Sequence, residues 1–163
     1  MQAQFRSVAL LVSDMAASRR FYEGLLGQEV DMDLGVNVGY TCGLALWDVR
    51  AAYDVIHHHE PEGDAPLGRG NLEVYFEVDD LDAALEALTA AGVRLVHPIV
   101  EQPWAQRVMR AYDPDGHIVE LAEPMGRVVQ RLAASGLDVE GIRRRTYMPV
   151  EAIEHLLAGG APR

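Results

Sequence analysis

The feature that most constrains the fold of this chain is an internal repeat. Residues 7–27, SVALLVSDMAASRRFYEGLLG, resemble residues 73–92, EVYFEVDDLDAALEALTAAG. When the two segments are superposed, Asp14 meets Asp80, and both segments close on a glycine. A supersecondary unit that recurs along a chain predicts a fold assembled repeatedly from that unit.

Each copy of the repeat predicts a strand followed by a helix. Apolar residues alternate before each aspartate, which is typical of a strand with one buried face. Asp14 and Asp80 then supply the short oxygen-bearing side chain that accepts hydrogen bonds at a helix N-terminus. Gly27 and Gly92 stand where a helix ends with positive φ. The residues with core-facing spacing in the two helices are Phe21, Leu25, Leu26, Leu81, Leu85 and Leu88.

Three strand-like runs follow the helix of the second copy, at 93–100, 106–113 and 117–122. The sequence DPDG between the last two runs is a turn signal and predicts a hairpin. The second half of the chain therefore predicts the order strand, helix, strand, strand, strand.

The first copy is less regular after its helix. Residues 28–34, 38–48 and 51–57 are its three strand candidates, but 49–60 fits a loop or a helical turn equally well. A segment rich in proline and glycine, 60–70, joins the two halves.

The C-terminal segment 125–163 changes character and predicts three short helices with glycine stops. Its basic run at 143–145 precedes Glu151 and Glu154, whose carboxylates have the wrong sign for contact with phosphates. We therefore expect a packing or dimerisation arm rather than a DNA-binding element. The apolar stripes of this arm are formed by Val139, Ile142, Val150, Ile153, Leu156 and Leu157.

An acidic charge balance narrows the range of partners. The formal net charge is −11 and the pI is near 4.8, which disfavours nucleic acids and anionic membranes. Cys42 is the single cysteine, so no disulfide can form within the chain. The N-terminus lacks an apolar stretch of the signal-peptide type, and no apolar run approaches the roughly 20 residues that cross a bilayer. We expect a cytoplasmic protein.

Three motifs, in this order, resemble those of the vicinal oxygen chelate superfamily, the glyoxalase, bleomycin-resistance and extradiol dioxygenase group. They are FYEGLLG at 21–27, VDDLDAAL at 78–85 and YDPDGHIVEL at 112–121. The resemblance covers roughly residues 5–124. It implies a protein that holds a small molecule and, in many members of the group, a divalent metal ion.

The resemblance implies an α+β fold. Two pseudo-symmetric strand-helix-strand-strand-strand modules, at about 5–60 and 71–124, would form a curved-sheet cup. They would make up one domain, 1–124, followed by the helical extension 125–163. The resemblance also implies a homodimer, in which the cup closes either within one chain or between two chains.

A metal site made by the first and last strands of the modules is a further implication of the resemblance. The last-strand position of the second module falls on Glu120, which faces the cup if Val119 and Leu121 face the helix. The first-strand position falls on Glu73. In the first module the corresponding first-strand residue is Ser7, whose hydroxyl is a poor ligand for Zn²⁺, Ni²⁺ or Fe²⁺.

The third metal ligand is less well defined. By simple offset, the last-strand position of the first module falls near Asp54, just before the histidine run 57–59. If this segment is a strand, His57 can complete a divalent metal site with Glu73 and Glu120. The alternative is that the histidine run is a solvated loop.

Two other interpretations of the paired carboxylates remain open. Without a metal, one of them can be protonated and act as a general acid or base, its pKa raised by burial and by its neighbour. Alternatively, Arg107 or Arg110 on the adjacent strand neutralises them in an internal salt bridge.

The segment HPIVEQPWAQR lies near the expected mouth of the cup. Trp104, Gln106 and Arg107 in this segment, with Tyr75 on the first strand, offer aromatic surface and polar groups of the kind that small-molecule pockets use. His97 is either an acid–base group or a hydrogen-bonded structural histidine. Asn37 either caps the chain locally or contacts a ligand.

Two functions follow from these expectations. The first is a divalent-metal-dependent lyase or isomerase of glyoxalase type, in which the ion polarises a small oxygenated substrate and Glu120 or Glu73 moves a proton. The second is a metal-free binding protein of the antibiotic-resistance type that sequesters a ligand against Tyr75 and Trp104. Ser7 favours the second function, and the two glutamates favour the first.

Overall fold

Two four-stranded sheets form within residues 3–61, 63 and 66–160, the part of the chain that the computed structural model describes. In the first sheet the strand order is β1 (Val8–Val12), β4 (Leu44–Asp48), β3 (Asn37–Tyr40) and β2 (Val30–Asp33). In the second it is β5 (Glu73–Glu77), β8 (Ile118–Ala122), β7 (Arg107–Tyr112) and β6 (Leu95–Glu101). Both sheets place the first strand of the module beside the last, so the sequence repeat is a repeat of topology. The predicted α+β fold of two such modules with C-terminal helices is confirmed.

Six α-helices accompany the sheets in these described residues. They are α1 (Met15–Arg19), α2 (Val49–His57), α3 (Leu81–Ala90), α4 (Met125–Ala134), α5 (Val139–Thr146) and α6 (Val150–Leu157). The caps at Asp14 and Asp80 are as predicted, because each carboxylate accepts a hydrogen bond at 2.9 Å, from the amides of Ala17 and Ala83 respectively. None of the described helices has the length and apolar character needed to cross a membrane.

The first helix buries a different set of residues from the one that its sequence predicts. After Arg19 the chain continues as a π-helical turn, Arg20–Leu25, whose wider hydrogen-bonding spacing shifts the side chains around the axis. Phe21 is buried as predicted, and Tyr22 is fully buried beside it, whereas Leu25 is 37% exposed. Core-facing spacing based on 3.6 residues per turn was therefore wrong for Leu25.

The strand candidate 51–57 is wrong, because this segment is the helix α2. The carboxylate of Asp48 caps it by accepting from the amide of Ala51 at 2.9 Å, and His58 ends it with a φ of 60°. The other candidate, 38–48, divides into two strands at a turn in which Gly43 has a φ of 88°. The last strand of the first module is consequently β4 rather than a strand near Asp54.

The described chain folds as two compact units. The first contains the residues up to Leu72 together with Tyr112–Ile118, and the second contains Glu73–Ala111 and the residues from Val119 onward. The C-terminal helices therefore belong to the second unit.

The three C-terminal helices bury one another's apolar residues. Their shared core includes Val128 and Val129 from α4, Ile142 from α5 and Ile153 from α6, together with Ala105 from the segment before β7. The expected packing role of this extension is thus met within the second unit by Val139, Ile142, Ile153 and Leu156, whereas Leu157, predicted on the same stripes, is 41% exposed.

Candidate functional site

Alternate residues of β5 present two carboxylates and a phenol ring on one exposed face. Glu73, Tyr75 and Glu77 are exposed, whereas Val74 and Phe76 between them are less so, because successive side chains of a strand point to opposite faces. Glu120 on β8 and Arg110 on β7 lie on the same face as Glu73. We call Glu73, Tyr75, Glu77, Arg110 and Glu120 the carboxylate face.

A single guanidinium links the two glutamates of interest. Arg110 donates from Nε to Glu73 at 2.5 Å, and one of its terminal nitrogens forms an ion pair with the carboxylate of Glu120. Glu120 is only 4% exposed, so its charge needs a partner at this position. Of the two arginines that the sequence offered for an internal salt bridge, Arg110 is the one that forms it.

His97 extends this cluster from β6. Its Nε2 lies 3.2 Å from a terminal nitrogen of Arg110, and its Nδ1 lies 2.7 Å from the carbonyl oxygen of Pro98. Since a guanidinium can only donate, Nε2 is the accepting nitrogen and Nδ1 carries the proton that the Pro98 carbonyl accepts. The Nε2 lone pair of His97 is therefore directed at Arg110.

Burial raises the pKa of Glu120 above its ordinary value. Loss of hydration is the largest cause, because it disfavours the charged form of a carboxyl group. The guanidinium of Arg110 opposes this change, while the nearby carboxyl of Glu73 adds to it through its charge and a hydrogen bond. The carboxyl of Glu120 therefore holds a proton more readily in the folded protein than in the unfolded chain.

The raised pKa of Glu120 predicts that the free energy of unfolding depends on pH, and Glu120→Gln should remove this dependence. The folded state binds the proton of Glu120 more tightly, so the wild type loses stability relative to the variant as pH rises from 4.5, the ordinary pKa, towards the folded-state pKa. Urea denaturation of both proteins between about pH 4 and pH 8 measures this difference. A difference that instead grows in favour of the wild type with rising pH would contradict the assignment.

Trp104 and Tyr75 are joined through Gln106, one of the polar residues that the sequence places beside Trp104 near the expected mouth of the cup. The indole Nε1 of Trp104 donates to the amide oxygen of Gln106 at 2.8 Å, and the amide nitrogen of Gln106 donates to the Tyr75 hydroxyl at 3.0 Å. That hydroxyl donates to Glu77 at 3.2 Å. Gln106 is only 5% exposed.

Arg107 points elsewhere than the sequence analysis expected. Its terminal nitrogen contacts both carboxylate oxygens of Asp82 on α3, at 3.1 and 3.2 Å. Arg107 and Arg110 lie three positions apart on one strand, so they face opposite sides of the sheet. Arg107 is therefore engaged with the helix and not with the carboxylate face.

The two remaining candidates lie in the first unit. Asn37 begins β3, where its carbonyl accepts a hydrogen bond from the amide of Leu34 at 2.9 Å. His57 ends α2, with its ring 4.8 Å from that of Tyr53, and it lines an open cleft of about 450 Å³ with Tyr53, His59 and Arg69. Neither residue shares a strand or helix with the carboxylate face.

The donor set does not fit a metal ion within the described residues of one chain. No group of three or more His, Cys, Asp or Glu side chains there could hold one. In the first sheet the position equivalent to Glu120 is Ala45. The amide of Val8 bonds to the carbonyl of Gly43, one residue before its partner Leu44, and the amide of Val78 bonds in the same way to the carbonyl of Ala122, which sets Glu120 level with Ala45. The space between Glu73 and Glu120 is taken by the Arg110 guanidinium, which has no lone pair to offer a metal.

Comparisons with known proteins agree with this architecture. A family model described as a glyoxalase-like domain matches residues 5–126. A protein of unknown function from Agrobacterium tumefaciens str. C58 is 36% identical, with 76% of this chain and 95% of that chain covered and a TM-score of 0.69. No protein with curated annotation matches significantly.

Two other solved structures resemble the chain more distantly. A lactoylglutathione lyase from Agrobacterium tumefaciens is 25% identical, covering 75% of this chain and 94% of its own, with a TM-score of 0.55. A glyoxalase/bleomycin resistance protein/dioxygenase from Nocardioides is 24% identical, covering 76% and 84% respectively, with a TM-score of 0.59. The latter likeness bears on the fold alone.

Proposed function

The chain belongs to the glyoxalase-like domain family, and from that premise we propose that it binds a small cationic aromatic molecule on the carboxylate face, without a metal ion. The observation that carries the proposal is the placement of Arg110 between Glu73 and Glu120. This guanidinium supplies the positive charge that paired carboxylates otherwise take from a divalent ion.

Charge favours a cationic ligand. Within the described residues, the carboxyl groups of Glu73, Glu77 and Glu120 outnumber the Arg110 guanidinium on this face. Arg110 already bonds to two carboxylates and to His97, so it has little capacity left for an anion. An ammonium group about 4 Å from the carboxylate of Glu73 or Glu77 interacts with it by about 1 kcal/mol at the dielectric constant of bulk water and about 4 kcal/mol at the effective dielectric constant near a protein surface.

The aromatic surface is held in a fixed orientation. Tyr75 is 47% exposed, and its hydroxyl is held by Gln106 and Glu77. Its ring can pack against a flat ligand or attract a cation through its π-face. Because these side chains are already ordered, a ligand loses less affinity to the ordering of the protein.

The test compares two ligands that share a ring and differ in charge, phenethylamine and phenylpropionate. Trp47→Phe leaves Trp104 as the only tryptophan, so quenching of its fluorescence reports binding beside Tyr75. We expect saturable quenching by the amine, with a Kd at least about fivefold lower than that of the acid.

A pair of variants identifies the charges responsible. Glu77→Gln should weaken amine binding, whereas Glu86→Gln, which removes the same charge from the exposed surface of α3, should leave the Kd unchanged. Tighter binding of the acid, or an equal effect of the two variants, would contradict the proposal.

A second candidate function is metal-independent proton transfer, which the raised pKa of Glu120 favours. A buried carboxyl beside a second carboxyl is an arrangement that supports general acid–base catalysis. Incubation with a hemithioacetal in deuterated water distinguishes this activity from simple binding, since an isomerase of this kind incorporates deuterium into its product and Glu120→Gln should not.

A further inference from the structure

We propose that the C-terminal helices position the aromatic part of the binding site, with Arg131 on α4 as the positioning residue. The inference rests on the proposed function, because the residues it orients, Trp104 and Gln106, are those that border the carboxylate face. Arg131 lies beyond the family match at 5–126. The extension therefore adds to a glyoxalase-like domain an element that acts on its site.

Arg131 forms hydrogen bonds with the segment before β7 and with the residue after β8 at the same time. One of its terminal nitrogens donates to the carbonyl of Ala105 at 2.6 Å and to the carboxylate of Glu123 at 2.9 Å. Its Nε donates to the other oxygen of Glu123 at 3.1 Å. These contacts to a backbone carbonyl and a carboxylate use the fixed fork of the guanidinium.

The segment that Arg131 contacts, 102–106, is a tight turn in which one residue has an unfavourable backbone conformation. The amide of Gln102 donates to the carbonyl of Gln106, and the amide of Ala105 donates to the carbonyl of Gln102, each at 2.8 Å. Ala105 has a φ of 66°, a left-handed conformation that costs a residue with a Cβ atom about 1–2 kcal/mol. An unsupported turn would relax from it.

Two further contacts from the helices oppose that relaxation. The side chain of Ala105 is fully buried in the core shared by α4, α5 and α6. Arg145 on α5 donates to the carbonyl of Pro103 at 2.9 Å and to the carboxylate of Glu101 at 2.5 Å. The turn is thus held by its side chain and by two of its carbonyl groups.

Ala105 lies directly between the two site residues, so its conformation sets their directions. Trp104 precedes it and Gln106 follows it. The side-chain amide nitrogen of Gln106 also donates to the backbone carbonyl of Glu123 at 2.9 Å. Glu123 therefore accepts hydrogen bonds from both residues: its carboxylate accepts from Arg131, and its backbone carbonyl accepts from Gln106. Loss of Arg131 removes its hydrogen bonds to the Ala105 carbonyl and to the Glu123 carboxylate, and so loosens the residues on which the Trp104–Gln106–Tyr75 chain depends.

The test uses Arg131→Gln, with Arg127→Gln as the matched control, both in full-length Trp47→Phe protein. Arg127 lies on the same helix and pairs with Asp79 at the surface, so its loss removes the same charge without touching the turn. We expect Arg131→Gln to increase acrylamide quenching of Trp104 in ligand-free protein and to raise the Kd for phenethylamine about tenfold, a change of about 1.4 kcal/mol. Arg127→Gln should do neither.

Ligand-free quenching separates this inference from the proposed function. If the wild type binds no amine but Arg131→Gln still exposes Trp104, the positioning role stands and the binding function fails. If Arg131→Gln lowers the Tm while quenching and Kd match those of Arg127→Gln, the positioning role is overturned. Should Arg131→Gln fail to fold, Arg145→Gln, which releases the Pro103 carbonyl, undergoes the same measurements with the same criteria.

Discussion

Replacing Arg110 with methionine is expected to lower the free energy of unfolding by about 3 kcal/mol at neutral pH. Methionine keeps much of the apolar stem of the arginine side chain, so the loss of free energy of unfolding reports the removal of the positive charge. Without the guanidinium, the buried carboxyl of Glu120 faces Glu73 with no cation between them. Removing one partner of a buried ion pair costs more than the pair itself contributes, because the remaining charge stays desolvated.

Arg107→Met on the same strand is the matched control for this prediction. Arg107 and its partner Asp82 have side chains that are 37% and 69% exposed, and exposed pairs of this kind contribute about 0–1 kcal/mol. Urea denaturation of the two variants measures the difference. Equal losses would mean that Arg110 does not neutralise a buried charge, and the assignment of Glu120 would have to change.

Replacing Ile153 with alanine is expected to lower the free energy of unfolding by about 2–5 kcal/mol. Ile153 is fully buried in the core that joins α6 to α4, α5 and Ala105. The substitution removes apolar contacts and leaves a cavity among three helices. These helices lie almost entirely outside the family match at 5–126. Thermal or urea denaturation with circular dichroism provides the measurement.

Leu157→Ala on the same helix is the control, because Leu157 is 41% exposed and such surface changes usually stay within about 0.5 kcal/mol. If Ile153→Ala were as mild as Leu157→Ala, the C-terminal helices would not form a packed core with the turn at Ala105. That result would also remove the basis for their positioning role.

The repeated aspartates and alternating apolar residues were sufficient to predict the strand and the helix that open each module. These signals are local: a strand face, a capping side chain and a glycine stop are each set by neighbouring residues. The segment 49–57 was ambiguous because a short apolar run fits a strand or a helix equally well. Asp48, whose capping bond to Ala51 begins α2, was the overlooked signal.

The candidate site was only partly predictable because its key contacts are distant in sequence. Alternation correctly placed Glu73 and Tyr75 on one face of β5, but it could not choose between Arg107 and Arg110. That choice depends on the pairing of β7 with its neighbours, which includes a register shift opposite β6. Gln106 was predicted as a pocket residue, but its bond to Tyr75 was not, because the direction of its side chain follows from the φ of Ala105. The predicted domain boundaries, the homodimer and the cup remain predictions.

The most direct test of a metal-free site is the metal content of the wild type and of Arg110→Ala, each purified without chelator and incubated with Ni²⁺, Mn²⁺ and Zn²⁺. We expect no stoichiometric metal in the wild type, because Arg110 occupies the position between the glutamates. We expect none in Arg110→Ala either, although Glu73, Glu120 and His97 lose their guanidinium partner there, because no three such side chains in the described residues are placed to hold an ion. Stoichiometric metal in the wild type that is lost in Glu120→Gln would contradict the metal-free site and restore the metal-dependent enzyme.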